Sequence, residues 1–206
     1  MRSDLIPQRI ADDVFEFSAS SSEEAQALAT QLRELGLAED VVAGIKSVCV
    51  RFAPDKLPKL ELAFNDLSKR PLDLALPDQQ VELEIQYGGA AGPDLAAICR
   101  AMGLTETAFI DLHTGQTHRV DMIGFTPGFS YISGLPAQFD VPRRGDPRPR
   151  VPAGAVGISS RYTGVYALAG PGGWPLIGQI HDQLFTPEAE QPFKLQPGYR
   201  VRFKAI

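Results

Sequence analysis

Three histidines and one arginine run are the residues here whose chemistry could serve a site. His113 ends an apolar helical stretch and precedes Thr114-Gly115. There it could present its ring at a helix C-terminus, whose dipole favours the protonated form, or simply cap the helix. His118 alternates with polar neighbours on a presumed strand and is expected at the surface. His181 opens the loop after Ile177-Gly178-Gln179-Ile180 and suits a site or a turn equally. Arg143, Arg144, Arg148 and Arg150 form a basic cluster interrupted by Asp146 and prolines. A guanidinium matches carboxylate or phosphate through its planar fork, although such a run also serves as a solvated loop. Gly170-Pro171-Gly172-Gly173 could turn backbone N–H groups toward an anion.

No self-sufficient catalytic set stands out beside these. The sequence has no phosphate-binding G-x-x-x-x-G-K-[ST], no G-x-S-x-G elbow and no H-E-x-x-H. No lysine adjoins Met1, Met102 or Met122, so a Met-Lys-Met biotin attachment site is absent. Cys49 and Cys99 sit in apolar contexts and make neither a disulfide framework nor a zinc site, and no metal is expected.

The elements that must position these residues fall into two groups. Eleven of the 19 glycines and eight of the 17 prolines lie between Gly124 and Gly178. Glycine permits positive φ and proline fixes φ, so this density predicts a series of defined turns, an ordered site built from loops. Phe125, Phe129, Tyr131, Tyr162, Tyr166 and Trp174 between the turns would pack it, unlike a disordered linker. After Gly154 come short strands, Ala155 to Ser159, Gly164 to Leu168, Leu176 to Ile180 and Tyr199 to Ile206, the pattern of a barrel or sandwich. Val81 to Tyr87 alternates strictly, as a half-buried strand does. Helices are expected from Pro93-Asp94-Leu95 to Met102 and from Thr105 to about His113, with a strand from Thr117 to Ile123.

Nearer the N-terminus, Val14-Phe15-Glu16-Phe17 closes a strand over residues 10–17. Ser18 to Ser22 offer caps to a helix carrying Ala25, Leu28, Ala29, Leu32 and Leu35, with Gly36 at its C′ position. Val41 to Phe52 suits two strands, and Leu57 to Leu67 a second helix. The order is roughly β-α-β-β-α, a small α/β sandwich. The proline-bounded segment Arg70 to Asp78 marks the boundary, giving domains at 1–80 and 81–206.

At 206 residues, net charge −5 and 44% hydrophobic content, the chain reads as an ordinary globular protein. Its acidity argues against wholesale nucleic-acid binding. No apolar run approaches a membrane span and no signal peptide is apparent, so a cytoplasmic protein is the expectation.

Gly124-Phe125-Thr126-Pro127-Gly128-Phe129-Ser130-Tyr131 with Gly134-Leu135-Pro136 resembles the G-F-x-P-G-F-x-Y-x-x-G-L-P signature of the 5-oxoprolinase B-subunit family. That family is also called allophanate hydrolase subunit 1, or the KipI family. Pro142-Arg143-Arg144, Val151-Pro152-Ala153-Gly154, Thr163-Gly164-Val165-Tyr166 and Pro171-Gly172-Gly173-Trp174 continue the match. Tyr87-Gly88-Gly89, Gly92-Pro93-Asp94-Leu95 and Leu112-His113-Thr114 extend it upstream. Departures are Ala155 and Gly170 for serine, Tyr162 for glutamine, Ala167 for proline, Gln179-Ile180 for Arg-Thr, and His118 for tyrosine.

The resemblance implies an α+β chain, a small N-terminal α/β domain followed by a cyclophilin-like β-barrel of carboxyltransferase type. It implies work with a C-type partner (allophanate hydrolase subunit 2) and an A-type protein, with ATP consumed by the complex as 5-oxoproline opens to glutamate. His113 and Arg143 are then the candidate catalytic residues. Arg144, Arg148, Arg150, Gly172 and Gly173 are candidates for binding substrate or phosphate. Phe125, Pro127, Phe129, Tyr131, Tyr166 and Trp174 would line the site. Alternatives within the resemblance are a KipI-like inhibitor of a sensor histidine kinase and a subunit of a urea or allophanate amidolyase.

Overall fold

The structure is a computed structural model that describes residues 6–75, 77 and 79–206. It divides into two compact units, Met1–Leu76 and Pro77–Ile206.

In the first unit β1 (Gln8–Ala11), β2 (Val14–Ser18), β3 (Asp40–Ala43) and β4 (Ser47–Arg51) form an antiparallel sheet in the order β1-β2-β4-β3. Helices α1 (Ser22–Glu34) and α2 (Leu57–Leu67) complete it. The Ser21 hydroxyl accepts the Glu24 N–H at 3.3 Å to start α1, and Gly36 at φ +63 follows its end. Phe15 and Phe17, two residues apart on β2, share the buried face with Val48, Val50, Phe52, Leu28, Leu32 and Phe64. The strand expected over 10–17 is instead a hairpin, because the chain turns at Asp12-Asp13. The order is therefore β-β-α-β-β-α.

The second unit is a closed barrel. Its strands are β5 (Gln80–Tyr87), β6 (His118–Ile123), β7 (Ser130–Ser133), β9 (Ala155–Ser159), β10 (Tyr162–Val165), β12 (Leu176–Ile180) and β13 (Arg200–Ala205), in the order β10-β7-β6-β13-β5-β12-β9. Only β13 and β5 run parallel among these pairs. A separate ribbon pairs β8 (Arg148–Val151) with β11 (Gly170–Gly172). Leu83 and Ile85 of β5 point into the barrel with Val120, Ile132, Ile158, Val165, Ile177 and Val201, while Glu82, Glu84 and Gln86 face water. Each fully buried side chain of this size contributes about 1.5–3 kcal/mol.

Helices α3 (Leu95–Met102) and α4 (Glu106–Thr114) add Leu95, Ile98 and Phe109 to that core. Left-handed Gly103 at φ +67 ends α3, and the Thr105 hydroxyl caps α4 by accepting the Ala108 N–H. Upstream of α3, the Gly88–Asp94 loop lies against β12 so closely that a Cβ on Gly92 would stand 2.0 Å from the Ile177 carbonyl oxygen. The region from Gly124 to Gly178, expected to be built from loops, thus holds β7 to β11 and the start of β12. Its strands span only three to five residues, too few for a periodic signal. The strand expected over Gly164 to Leu168 begins earlier, at Tyr162. Ser160 and Arg161 both adopt positive φ in the two-residue hairpin turn that precedes it.

Candidate functional site

The Gly124–Phe129 segment joining β6 to β7 makes two turns in succession. The Thr126 N–H donates to the Gly124 carbonyl at 2.8 Å, closing a γ-turn around Phe125 at φ +68. The Phe129 N–H then donates to the Thr126 carbonyl at 3.0 Å. Pro127 and left-handed Gly128 (φ +77) hold the central positions, as a type II turn requires. This sequence sends Phe129 inward and leaves Phe125 62% exposed, with Pro127 exposed between them.

Alternation on β7 and β10 sorts the remaining aromatics. Ile132, Thr163 and Val165 point into the barrel, and Tyr131, Tyr162 and Gly164 lie on its outer face. Trp174 covers Gly164, where a Cβ would come within 2.6 Å of the indole and 2.7 Å of Phe129. Phe129 meets Tyr166 at 4.9 Å, Trp174 at 5.6 Å and Tyr131 at 4.9 Å, all near edge-to-face. Phe129, Tyr166 and Trp174 are buried, so these residues form a filled floor, and Tyr131 is half-buried at its margin. Gly172 is also buried, with the Tyr166 hydroxyl over it.

The four arginines divide by partner. Asp94, just before α3, receives Arg144 Nη1 on Oδ1 at 3.2 Å and Arg148 Nη2 at 2.9 Å. Arg148 Nη1 lies 2.9 Å from Oδ2, which also accepts the Leu176 N–H at 2.7 Å. Burial alone would raise the Asp94 pKa. The hydrogen bonds from Arg148 and the Leu176 amide, with the charges of Arg148 and Arg144, overcome it and hold the carboxyl below its usual value. Arg144 and Arg148 are thus engaged by a carboxylate of their own chain. The Arg144 N–H also donates to the Gly173 carbonyl, which latches the loop after β7 to the segment carrying Trp174. Arg143 is exposed, its guanidinium 6.0 Å from the Trp174 ring centre, and Arg150 is exposed on β8.

His113 lies elsewhere, on the inner side of β10. Its Nδ1 is 2.6 Å from the Tyr87 hydroxyl and its Nε2 3.0 Å from Thr163 Oγ1. Burial keeps Tyr87 protonated, and a neutral imidazole donates through one ring nitrogen and accepts through the other, so the phenol and the Thr163 hydroxyl, each able to do either, satisfy both. Of the two readings of His113, the one with a protonated ring at the helix end does not hold. Complete burial, and then the neighbouring His118, push its pKa well below the ordinary value and leave it neutral. His118 is likewise buried rather than at the surface, because β6 turns it inward, where Nε2–H donates to the His113 carbonyl at 2.8 Å. Burial lowers its pKa, against the opposing carbonyls of His113 and Ser133. His181 is exposed beside Glu82, Glu84, Asp182 and Ile206 in a polar depression.

Two carboxylates at the site were not among the candidate site residues, although Asp94 stands in the Gly92-Pro93-Asp94-Leu95 motif. Asp94 organises the arginines across 50 and 54 residues of chain. Asp121, buried on β6, accepts from Arg119, from Ser133 Oγ at 2.9 Å and from the Tyr162 hydroxyl at 3.3 Å, at the far end of the aromatic floor. Among the described residues no group of three or more His, Cys, Asp or Glu could hold a metal.

A barrel with this outer-face site has recognisable relatives. The family profile for the carboxyltransferase domain, subdomain C and D, matches residues 11–195. The chain belongs to that family. Within it, the 5-oxoprolinase B subunit of Escherichia coli O157:H7 is 49% identical over 123 residues, 60% of this chain and 56% of that protein. The match therefore spans about half of that relative's length. A crystal structure of TTHA0988 has a TM-score of 0.82 at 32% identity, covering 94% of this chain and 39% of that one. The K. lactis urea amidolyase shares the fold, with a TM-score of 0.75 at 15% identity over 97% of this chain and 15% of that one. The α+β architecture is shared with these structural neighbours.

Proposed function

We propose that the chain is the B-type subunit of an ATP-dependent 5-oxoprolinase-type complex, acting with a C-type and an A-type partner in the cytoplasm. The observation that carries this reading is the 49% identity to a protein named as the B subunit of 5-oxoprolinase. The geometry accords with a subunit that is inactive alone. The imidazoles of His113 and His118 are enclosed and neutral, and the aromatic floor is filled. What the surface offers instead is cationic and apolar, Arg143 over Trp174 with Phe125 and Pro127 nearby.

In the proposed reaction the lactam oxygen of 5-oxoproline attacks the γ-phosphorus of ATP, and ADP leaves. Water adds to the activated carbon and the C–N bond breaks to free the amine, leaving γ-glutamyl phosphate, whose acyl-phosphate bond a second water cleaves to give glutamate and inorganic phosphate. ATP is assigned to the complex. Arg143 is the group of this chain placed to receive a carboxylate or phosphate, where a preoriented cation stabilises accumulating negative charge. Arg144, Arg148 and the Gly173 carbonyl hold its loop in place.

Co-expression of the tagged chain with a C-type partner protein tests this directly. One complex eluting together by size exclusion with light scattering is the expected result. Separate elution of the two proteins would remove the basis for the subunit reading.

A further inference from the structure

Asp94 stands where an aspartate ordinarily serves its own helix. It immediately precedes Leu95 at the start of α3, yet its carboxylate accepts no N–H from the first turn. Its backbone is pinned to β12 instead. The Asp94 N–H donates to the Leu176 carbonyl at 3.0 Å, and the Leu176 N–H returns to Oδ2 at 2.7 Å. Both carboxylate oxygens are thereby turned toward the arginine loop. Arg148 approaches each of them at 2.9 Å, and Arg144 reaches Oδ1 at 3.2 Å. The helix forgoes its usual cap, and the loop gains an anchor.

What this anchor holds is the contact between Arg143 and Trp174. Arg143 pairs with no carboxylate among the described residues, and its guanidinium rests 6.0 Å from the indole centre. Its place is therefore set by the two stretches of backbone that carry the pair. Arg144, the next residue, is tied to Asp94 by its side chain and to the Gly173 carbonyl by its N–H at 2.8 Å. Trp174 lies between Gly173 and Leu176, whose amide Asp94 holds. Arg144 Nε also donates to the Asp146 carbonyl at 3.2 Å, which closes the loop between the two arginines. One carboxylate thus grips both sides of the Arg143–Trp174 contact.

We infer that Asp94 is a positioning residue of the proposed site. Through Arg144, Arg148 and Leu176 it holds the Arg143 guanidinium where the substrate's carboxylate or phosphate is received. This rests on the proposed subunit role, in which Arg143 takes that anion. A cation held in advance stabilises charge without reorganising, whereas one on a loose loop must first be ordered. Loss of the Asp94 charge therefore acts on turnover through Arg143.

The test is a double-mutant cycle on kcat/KM for 5-oxoproline, read as ADP release by the full chain reconstituted with its A-type and C-type partners. Thermal unfolding confirms that each variant is folded at the assay temperature. Arg143→Ala should lower kcat/KM roughly a hundredfold, and Asp94→Asn roughly tenfold. The double variant should match Arg143→Ala within about twofold, because independent effects would multiply to roughly a thousandfold. A merely structural role for Asp94 gives that multiplied loss and would overturn the inference. Arg148→Lys, which keeps the charge and loses the planar fork, should also lower kcat/KM in wild type and have no further effect beside Arg143→Ala. Unchanged kcat/KM in both Asp94→Asn and Arg148→Lys would overturn the inference and leave the subunit role intact. An Arg143→Ala complex as active as wild type would overturn it too, leaving Asp94 nothing to position. Absence of 5-oxoproline-dependent turnover in the wild-type complex would overturn the subunit role and the inference with it.

Discussion

Replacing Asp94 should loosen the site without touching any group that faces outward. Its carboxylate, 15% exposed, holds Arg144, Arg148 and the Leu176 amide at once. A fully buried pair broken on one side costs about 3–5 kcal/mol and an exposed one about 0–1. Arg144 and Arg148 are 34% and 22% exposed, so the ion-pair loss should lie between those limits. The orphaned amide adds about 1 kcal/mol. Asp94→Ala is therefore expected to cost about 2–4 kcal/mol, a fall of roughly 5–15 °C in melting temperature for a protein of this size. Asp94→Asn, which keeps an acceptor for Leu176, should cost less.

The pH dependence carries a definite sign. A carboxyl whose folded pKa is lowered stabilises the fold above its unfolded pKa and loses that contribution as pH falls through the folded one. Thermal unfolding of wild type and Asp94→Asn should thus differ at pH 7 and converge as pH drops below about 4. The reasoning fails if Asp94→Ala unfolds within about 0.5 kcal/mol of wild type at pH 7, the range of a neutral surface change. A wild-type advantage that persists undiminished at pH 2 would refute the electrostatic part.

Other consequences follow from particular residues. Because His113 is neutral when folded and titrates near 6.5 when unfolded, acid should cost the wild type up to about 2 kcal/mol by pH 5 through this residue. His113→Gln should lower stability at pH 7.5 yet flatten the decline from pH 7 to 5 in urea titrations. Gly164→Ala should push the indole off its floor and cost about 1–3 kcal/mol. Because Trp174 is the only tryptophan, a red-shifted emission spectrum reports that displacement. Gly92→Ala, with its Cβ directed at the Ile177 carbonyl, should yield little soluble protein, as measured by the soluble fraction on expression.

The sequence was most legible where a repeat or a turn has one physical solution. Alternation placed Leu83 and Ile85 inside the barrel, helical spacing gave Leu57–Leu67 its bounds, and Gly36 and Gly103 ended their helices. The arginine run and the aromatic series were also visible as residue types. What they touch was not, because Asp94 meets Arg144 and Arg148 only through the barrel's closure. His118 misleads for a related reason. Polar neighbours suggest exposure, but a histidine whose N–H meets the His113 carbonyl can occupy an inward position on β6. Ser160-Arg161 lacks the Asn-Gly signal of a tight hairpin, so the start of β10 was hidden as well.

The central claim is that this chain is an obligatory part of an ATP-dependent lactam-opening complex. Its most direct test is ADP release with 5-oxoproline in a mixture of the purified A-type and C-type partners, measured with the chain present and with it left out. The account predicts ADP and glutamate formed together only when the chain and 5-oxoproline are both present. Equal turnover without the chain, or no 5-oxoproline-dependent turnover with all three proteins, would contradict it.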